Sequence, residues 1–263
     1  MKQRIITAFL ALILFIPLTL YGDWPFSIFV YLIASIGLWE LLRMKETQKY
    51  LFPTLLSVAM LWIILAPVSI SESFTWFNKS EIIMIFVLIL LSYTVLKKNK
   101  FTFDDAGFIL LATLYVGIGF SYFLETRHSI NGLATMLYAL FIVWATDTGA
   151  YFFGKAFGKH KLWPKISPNK TVEGAVGGII LAVIIAIVFN LVHPFNYTLV
   201  TIIGVTILAS IFGQIGDLVE SAFKRHFQVK DSGTILPGHG GILDRFDSIM
   251  FVFPLLHFIQ FIS

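Results

Sequence analysis

The chain has no cysteine. That absence excludes a disulfide framework and any zinc or iron–sulfur site ligated through sulfur. Charge is scarce. Asp, Glu, Lys and Arg make up 13% of the 263 residues while 57% are hydrophobic, against about a quarter charged in soluble proteins. A soluble protein of this length has too little interior to hide so much apolar surface, so the soluble globular class is excluded. The six histidines show no metal-ligand spacing, and a histidine-ligated zinc is not expected. There is no low-complexity linker, no soluble domain and no visible internal repeat, which weighs against an inverted-repeat transporter. The net charge of +4 is read as a record of membrane topology, with no nucleic-acid partner.

What is present is apolar and periodic. Nine runs are long enough to cross a bilayer as helices, near 5–22, 25–42, 51–70, 81–96, 107–124, 132–153, 172–192, 197–219 and 242–262. The expected fold is an all-α integral membrane protein, a polytopic bundle of about nine transmembrane helices. It forms one integral domain over 1–263, with 1–100 a helical scaffold and 101–263 carrying the motifs. With the N-terminus in the cytoplasm, alternating sides place 17 of the 19 Lys and Arg residues inside, leaving only Lys79 and Arg127 outside. That is the positive-inside bias, and it puts the C-terminus outside. Residues 1–22 exit through Leu20-Tyr21-Gly22-Asp23-Trp24 without a small-x-small cleavage site, so they read as a retained span.

The first half is chemically quiet. Glu40 reads as a snorkelling interfacial acid or a partner of Arg43. Trp24, Trp62, Trp76 and Trp144 read as interface anchors. The run Lys97-Lys98-Asn99-Lys100 reads as a solvated loop facing anionic headgroups.

Chemistry collects in the second half. Asp147 lies within the sixth span, where an acid is costly unless it faces a polar cavity or a partner. Gly149 and Gly154 beside it permit close helix approach. The following loop holds Lys155, Lys159, Lys161, Lys165 and Lys170, cations that repel one another unless they share an anion. Ser167, Asn169 or Thr171 caps the next helix, with Glu173 in its first turn; such an end suits phosphate, and taken alone it reads equally as a basic loop with a good cap. Gly174 and Gly178 form a small-residue packing face.

Further on, Asp217, Glu220, Ser221 and Lys224 fall at i, i+3, i+4 and i+7, one helical face that cannot point at lipid. Asp244, Asp247 and Ser248 share a face at the start of the ninth span. Paired carboxylates without His or Cys companions favour an oxygen-ligated hard cation. Between the two helices lie Arg225, Lys230, Asp231 and His239, with Gly233, Gly238, Gly240 and Gly241 allowing close backbone approach. Cations, carboxylates and glycines interleaved in this way suit a metal-chelated polyphosphate. A structural ion-pair network would account for the charges but not for the glycines.

The stretch Ser221, Lys224-Arg225, Lys230-Asp231, Gly233, Leu236-Pro237, His239-Gly240-Gly241, Asp244-Arg245 and Asp247 resembles the signature of the phosphatidate cytidylyltransferases, membrane enzymes that make CDP-diacylglycerol. The upstream Ser167-Pro168-Asn169-Lys170-Thr171 run, followed by Glu173-Gly174, is similar to a second motif of that family. The resemblance implies transfer of cytidylyl from CTP to phosphatidic acid, with release of pyrophosphate. It implies magnesium on Asp217 and Asp244, with room for a second cation. Asp217, Asp244, Asp247, Lys224 and Arg225 are then the candidate catalytic groups. Ser167, Lys170, Ser221, Lys230, Asp231, His239, Gly240, Gly241, Arg245 and Asp147 are the candidates for substrate binding. The expected location is the plasma (inner) membrane, with the active site facing the cytoplasm, and the glycine-bearing helix faces suit a homodimer. A CTP-dependent lipid kinase and, further off, an anion transporter are the alternatives.

Overall fold

Apolar runs fold as helices because their backbone polar groups have no partner in hydrocarbon except one another. The computed structural model describes residues 2–67 and 78–262. Trp76, one of the expected anchors, and residues 68–70 of the third run lie outside the described residues. In chain order the helices are α1 (Lys2–Tyr21), α2 (Asp23–Met44), α3 (Leu51–Leu65), α4 (Lys79–Leu96), α5 (Phe103–His128), α6 (Gly132–Phe157), α7 (Val172–Val192), α8 (Leu199–His226), α9 (Leu243–Phe246) and α10 (Ile249–Phe258). Six of them, α2 and α4 to α8, are long and apolar enough to cross a membrane, and three shorter apolar helices lie at Ile6–Tyr21, Leu51–Leu65 and Ile249–Phe258. The protein is a polytopic membrane protein of mainly helical build.

The chain forms two compact units. One comprises Met1–Glu125 with Asp231–Ile242; the other comprises Thr126–Lys230 with Leu243–Ser263. In the first, α2 supplies the centre: Phe26, Val30, Ala34, Leu38 and Leu42 are fully buried. Phe26 meets Phe123 of α5 with ring centroids 5.4 Å apart. An Asn78–Glu81 capping box starts α4, satisfying two backbone donors that a helix N-terminus otherwise leaves unpaired.

In the second unit α6, α7 and α8 carry the polar residues. Its last segment departs from expectation. The run 242–262 is not one long helix but α9 and α10, interrupted at Asp247-Ser248. The Asp247 carboxylate captures the Ser248 backbone N–H at 2.7 Å, a local bond that competes with the helical ladder. Asp247 therefore sits at a break rather than inside a regular span. The linker between α6 and α7, expected as an irregular basic loop, contains an antiparallel hairpin of β1 (Lys161–Trp163) and β2 (Ser167–Thr171).

Candidate active site

In the second unit, small residues bring α6 and α7 into backbone contact. A Cβ at Gly149 would stand 2.8 Å from the Gly177 carbonyl oxygen and 2.9 Å from the Gly178 Cα; one at Gly178 would stand 2.6 Å from the Thr146 carbonyl oxygen. The expected small-residue faces are thus in use. Backbone cannot move aside as a side chain can. Gly149→Ala is expected to lower stability by about 1–3 kcal/mol, read as a drop in the denaturation midpoint in detergent. Hydroxyl pairs fix α6 against α8: Tyr138 Oη lies 2.8 Å from Thr206 Oγ1, and Thr146 Oγ1 lies 2.8 Å from Ser210 Oγ. Asp147 follows Thr146, and Asp217 lies two turns beyond Ser210 on the same face of α8.

That register brings carboxylates together. The charges of Asp147, Asp217 and Asp247 act on one another. Like charges so placed repel, and cations are set among them. Lys170 Nζ lies 2.5 Å from Asp217 Oδ2. Lys170 and Arg245 both attract Asp147. Lys224 Nζ lies 2.7 Å from Glu220 Oε2 and 2.6 Å from Asp244 Oδ1, with Glu220 1% and Asp244 6% exposed at their side chains. Ser221 Oγ donates to Asp217 Oδ1 at 3.4 Å, so the expected one-face arrangement of Asp217, Glu220, Ser221 and Lys224 holds. Gly216 lets the Asp247 backbone approach α8: a Cβ there would stand 2.6 Å from the Asp247 carbonyl oxygen.

The hairpin delivers Lys170. Thr171 is the residue that caps α7, its hydroxyl accepting from the Gly174 N–H at 3.1 Å. Glu173 accepts from the Lys159 N–H at 3.1 Å and the His160 N–H at 3.2 Å, and its Oε1 lies 2.6 Å from His160 Nδ1. It therefore anchors the start of the hairpin besides sitting in the first turn of α7. Arg225 Nε donates to the Ile166 carbonyl at 3.2 Å, pinning the hairpin turn to the end of α8. Ser167 begins β2, and Lys230 is exposed where the chain leaves this unit.

Asp231, His239, Gly240 and Gly241 belong to the first unit. The loop there is built around two glycines in the left-handed region, Gly238 (φ 79°) and Gly240 (φ 83°), which side chains disfavour. They allow Leu236 N–H to meet the Gly240 carbonyl at 3.0 Å and His239 N–H to meet the Leu236 carbonyl at 2.8 Å. Pro237 accepts from Thr7 Oγ1 at 3.0 Å. Glu40 also belongs here, contrary to the expectation of a snorkelling acid. It is 4% exposed and accepts from Ser232 Oγ at 3.0 Å and from Ile242 N–H at 2.9 Å.

A sequence model described as the cytidylyltransferase family matches residues 2–263. The chain belongs to the cytidylyltransferase family. It is 52% identical over 265 residues to the phosphatidate cytidylyltransferase of Bacillus subtilis (strain 168), covering 98% of this chain and 97% of that protein. It is 54% identical over 261 residues to that of Staphylococcus haemolyticus (strain JCSC1435), covering 98% of each. The enzyme of Staphylococcus aureus (strain COL) is 53% identical over 261 residues, again covering 98% of each. The resemblance to phosphatidate cytidylyltransferases read from the motifs is borne out along the whole chain.

In this family member, the donors available to a metal are carboxylate oxygens, which fits a hard cation such as magnesium. Among the described residues no three His, Cys, Asp or Glu side chains converge to hold a metal ion, and lysines lie on Asp217 and Asp244. Two acids have roles that the motifs do not assign. Glu220 shares the expected face, and its i+4 spacing to Lys224 is the sequence signal for their pair. Glu40 gave no local signal, because its partners lie 192 and 202 residues away.

Proposed function

We infer that the protein transfers a cytidylyl group from CTP to phosphatidic acid, giving CDP-diacylglycerol and pyrophosphate for phospholipid synthesis. The full-length match to phosphatidate cytidylyltransferases carries this reading, and the polar cluster of the second unit supports it. A phosphatidic acid oxygen attacks the α-phosphorus of CTP in line. The bond from that phosphorus to the bridging oxygen breaks, and pyrophosphate leaves with the electron pair. The nucleophile is already largely anionic near neutral pH, since a phosphate monoester has a second pKa of about 6. A strong general base is unnecessary. The demand is to overcome repulsion between anions, to align the two substrates and to stabilise the leaving group.

Lys224, Arg225, Lys170, Lys230 and Arg245 supply positive charge for the triphosphate and the lipid phosphate. Ser167, Ser221 and His239 supply hydrogen-bond donors, and the backbone at Gly240-Gly241 gives close approach. Asp217 and Asp244 would hold magnesium, which when bound would neutralise charge on the phosphates, with room for a second cation. Asp247 and Asp147 orient the basic side chains, and Asp231 is read as a substrate-binding group. On this reading Lys170 and Lys224 hold the carboxylates in register before substrates arrive. The whole chain acts as one integral membrane domain in the plasma membrane. The N-terminus lies in the cytoplasm, the C-terminus outside, and the reacting groups on the cytoplasmic side where CTP is found. A homodimer would need a surface other than the small-residue faces of α6 and α7, which pack on each other within the chain.

The test supplies purified protein in detergent with phosphatidic acid, magnesium and CTP labelled on the α-phosphate. Label is expected in the lipid phase with release of pyrophosphate, and silence with EDTA or with Asp244→Asn. Label entering lipid only from the γ-position would make the protein a lipid kinase. Silence from folded protein with either label would remove the enzyme reading and favour anion transport.

A further inference from the structure

The Gly233 and Gly241 positions raise a question that backbone conformation does not answer. Among the described residues the glycines at positive φ are Gly22, Gly238 and Gly240, so neither Gly233 nor Gly241 needs the left-handed region. The need is steric, and one side chain creates it. A Cβ at Gly233 would stand 2.8 Å from Glu40 Cδ and 3.0 Å from Glu40 Cγ, and a Cβ at Gly241 would overlap both Glu40 carboxylate oxygens. The same carboxylate takes the Ser232 hydroxyl on Oε2 and the Ile242 N–H on Oε1. Ser232 and Ile242 lie at the two ends of the Asp231–Ile242 segment. Glu40 itself sits on α2, the buried helix at the centre of the first unit.

We propose that Glu40 is the positioning residue of the signature loop. One buried carboxylate draws both ends of Asp231–Ile242 onto α2 and so fixes where His239, Gly240 and Gly241 are held. The loop needs glycine at 233 and 241 to close over that carboxylate. Burying a carboxylate is costly unless donors satisfy it, and a bond to an ionised acceptor is stronger than one between neutral groups. The chain commits such a group here, remote in sequence from the loop it holds. The catalytic consequence rests on the reading of that loop as part of the substrate site; the latch itself does not.

The experiment measures hydrogen exchange and kinetics side by side on the full-length protein in detergent. In Glu40→Ala the amides of the loop, Ile242 included, should exchange faster while the remainder of α2 keeps its protection. CTP KM should rise and kcat/KM should fall by about 10- to 10²-fold, the scale of a misplaced substrate group. Glu40→Gln should recover most of both, because its amide oxygen still accepts from Ile242 N–H and its NH2 donates to Ser232 Oγ. Gly233→Ala, which presses on Glu40, should loosen the loop in the wild-type background and add little when Glu40 is already alanine, a non-additivity expected of groups in contact. If Glu40→Ala does not fold, Gly233→Ala and Glu40→Gln read the same contact. Unchanged loop exchange in folded Glu40→Ala, or additive effects of the two alanines, would overturn the proposal. Loose loop amides with unaltered kinetics would keep the latch and overturn its positioning role. If the wild type transfers no cytidylyl group, the exchange data still decide the latch, and the failure belongs to the functional reading.

Discussion

Replacing Lys224 with methionine should reduce cytidylyl transfer by more than about 10²-fold and lower stability by about 3–5 kcal/mol. Methionine keeps the length of the stem and removes the ammonium. That ammonium lies 2.7 Å from Glu220 and 2.6 Å from Asp244, whose side chains are 1% and 6% exposed. Without it, two sheltered carboxylates face each other, and removing one partner of a buried ionic set leaves charge uncompensated. An exposed pair would be worth no more than about 1 kcal/mol, so the size of the loss separates the two situations. Adding Glu220→Gln to Lys224→Met should return much of the stability by deleting one of the opposed charges. It should not return activity, because the cation offered to phosphate is still missing. Denaturation midpoints and initial rates on the two variants provide the check. A fully active double variant would reduce Lys224 to a counter-charge.

The elements that announce themselves in this sequence are those whose cause is local. A span is legible because about 20 consecutive apolar residues leave the backbone no alternative to a helix in hydrocarbon. A cap at Ser167, Asn169 or Thr171 is legible because a side-chain oxygen placed before a helical run accepts from the first turn; that Thr171 is the one, accepting from Gly174, is seen only in the structure. The face shared by Asp217, Glu220, Ser221 and Lys224 is legible because helical periodicity is fixed. The break at Asp247 is not, since it depends on which way one carboxylate turns toward the Ser248 N–H. Nor is the hairpin: β1 is three residues long and β2 contains Pro168, so neither shows a strand pattern, and tertiary contacts such as Arg225 to the Ile166 carbonyl help hold it. The pairings of Lys170 with Asp217 and of Glu40 with Ser232 join distant parts of the chain. Composition shows that such charges must find partners, but not which ones.

Asp217→Asn should behave in the opposite way to Lys224→Met: activity falls by about 10²–10³-fold while stability stays within about 1 kcal/mol of the wild type. Asp217 shares its surroundings with the charges of Asp147 and Asp247, so neutralising it relieves repulsion. What is lost is its pair with Lys170, at 2.5 Å with side chains 31% and 26% exposed. At that exposure solvent screens the attraction, and the asparagine amide oxygen still accepts from the lysine. The two stability effects are small and opposed. Activity has no such compensation, since an amide binds a hard cation less strongly than a carboxylate and carries no charge with which to orient Lys170. Titrating magnesium against initial rate adds a second readout: if Asp217 is a ligand, the variant needs more magnesium to reach half of its own maximal rate. An unchanged magnesium requirement with the same loss of rate would assign Asp217 to the orientation of Lys170. A loss of stability as large as that of Lys224→Met would show that the carboxylate is needed mainly for the fold.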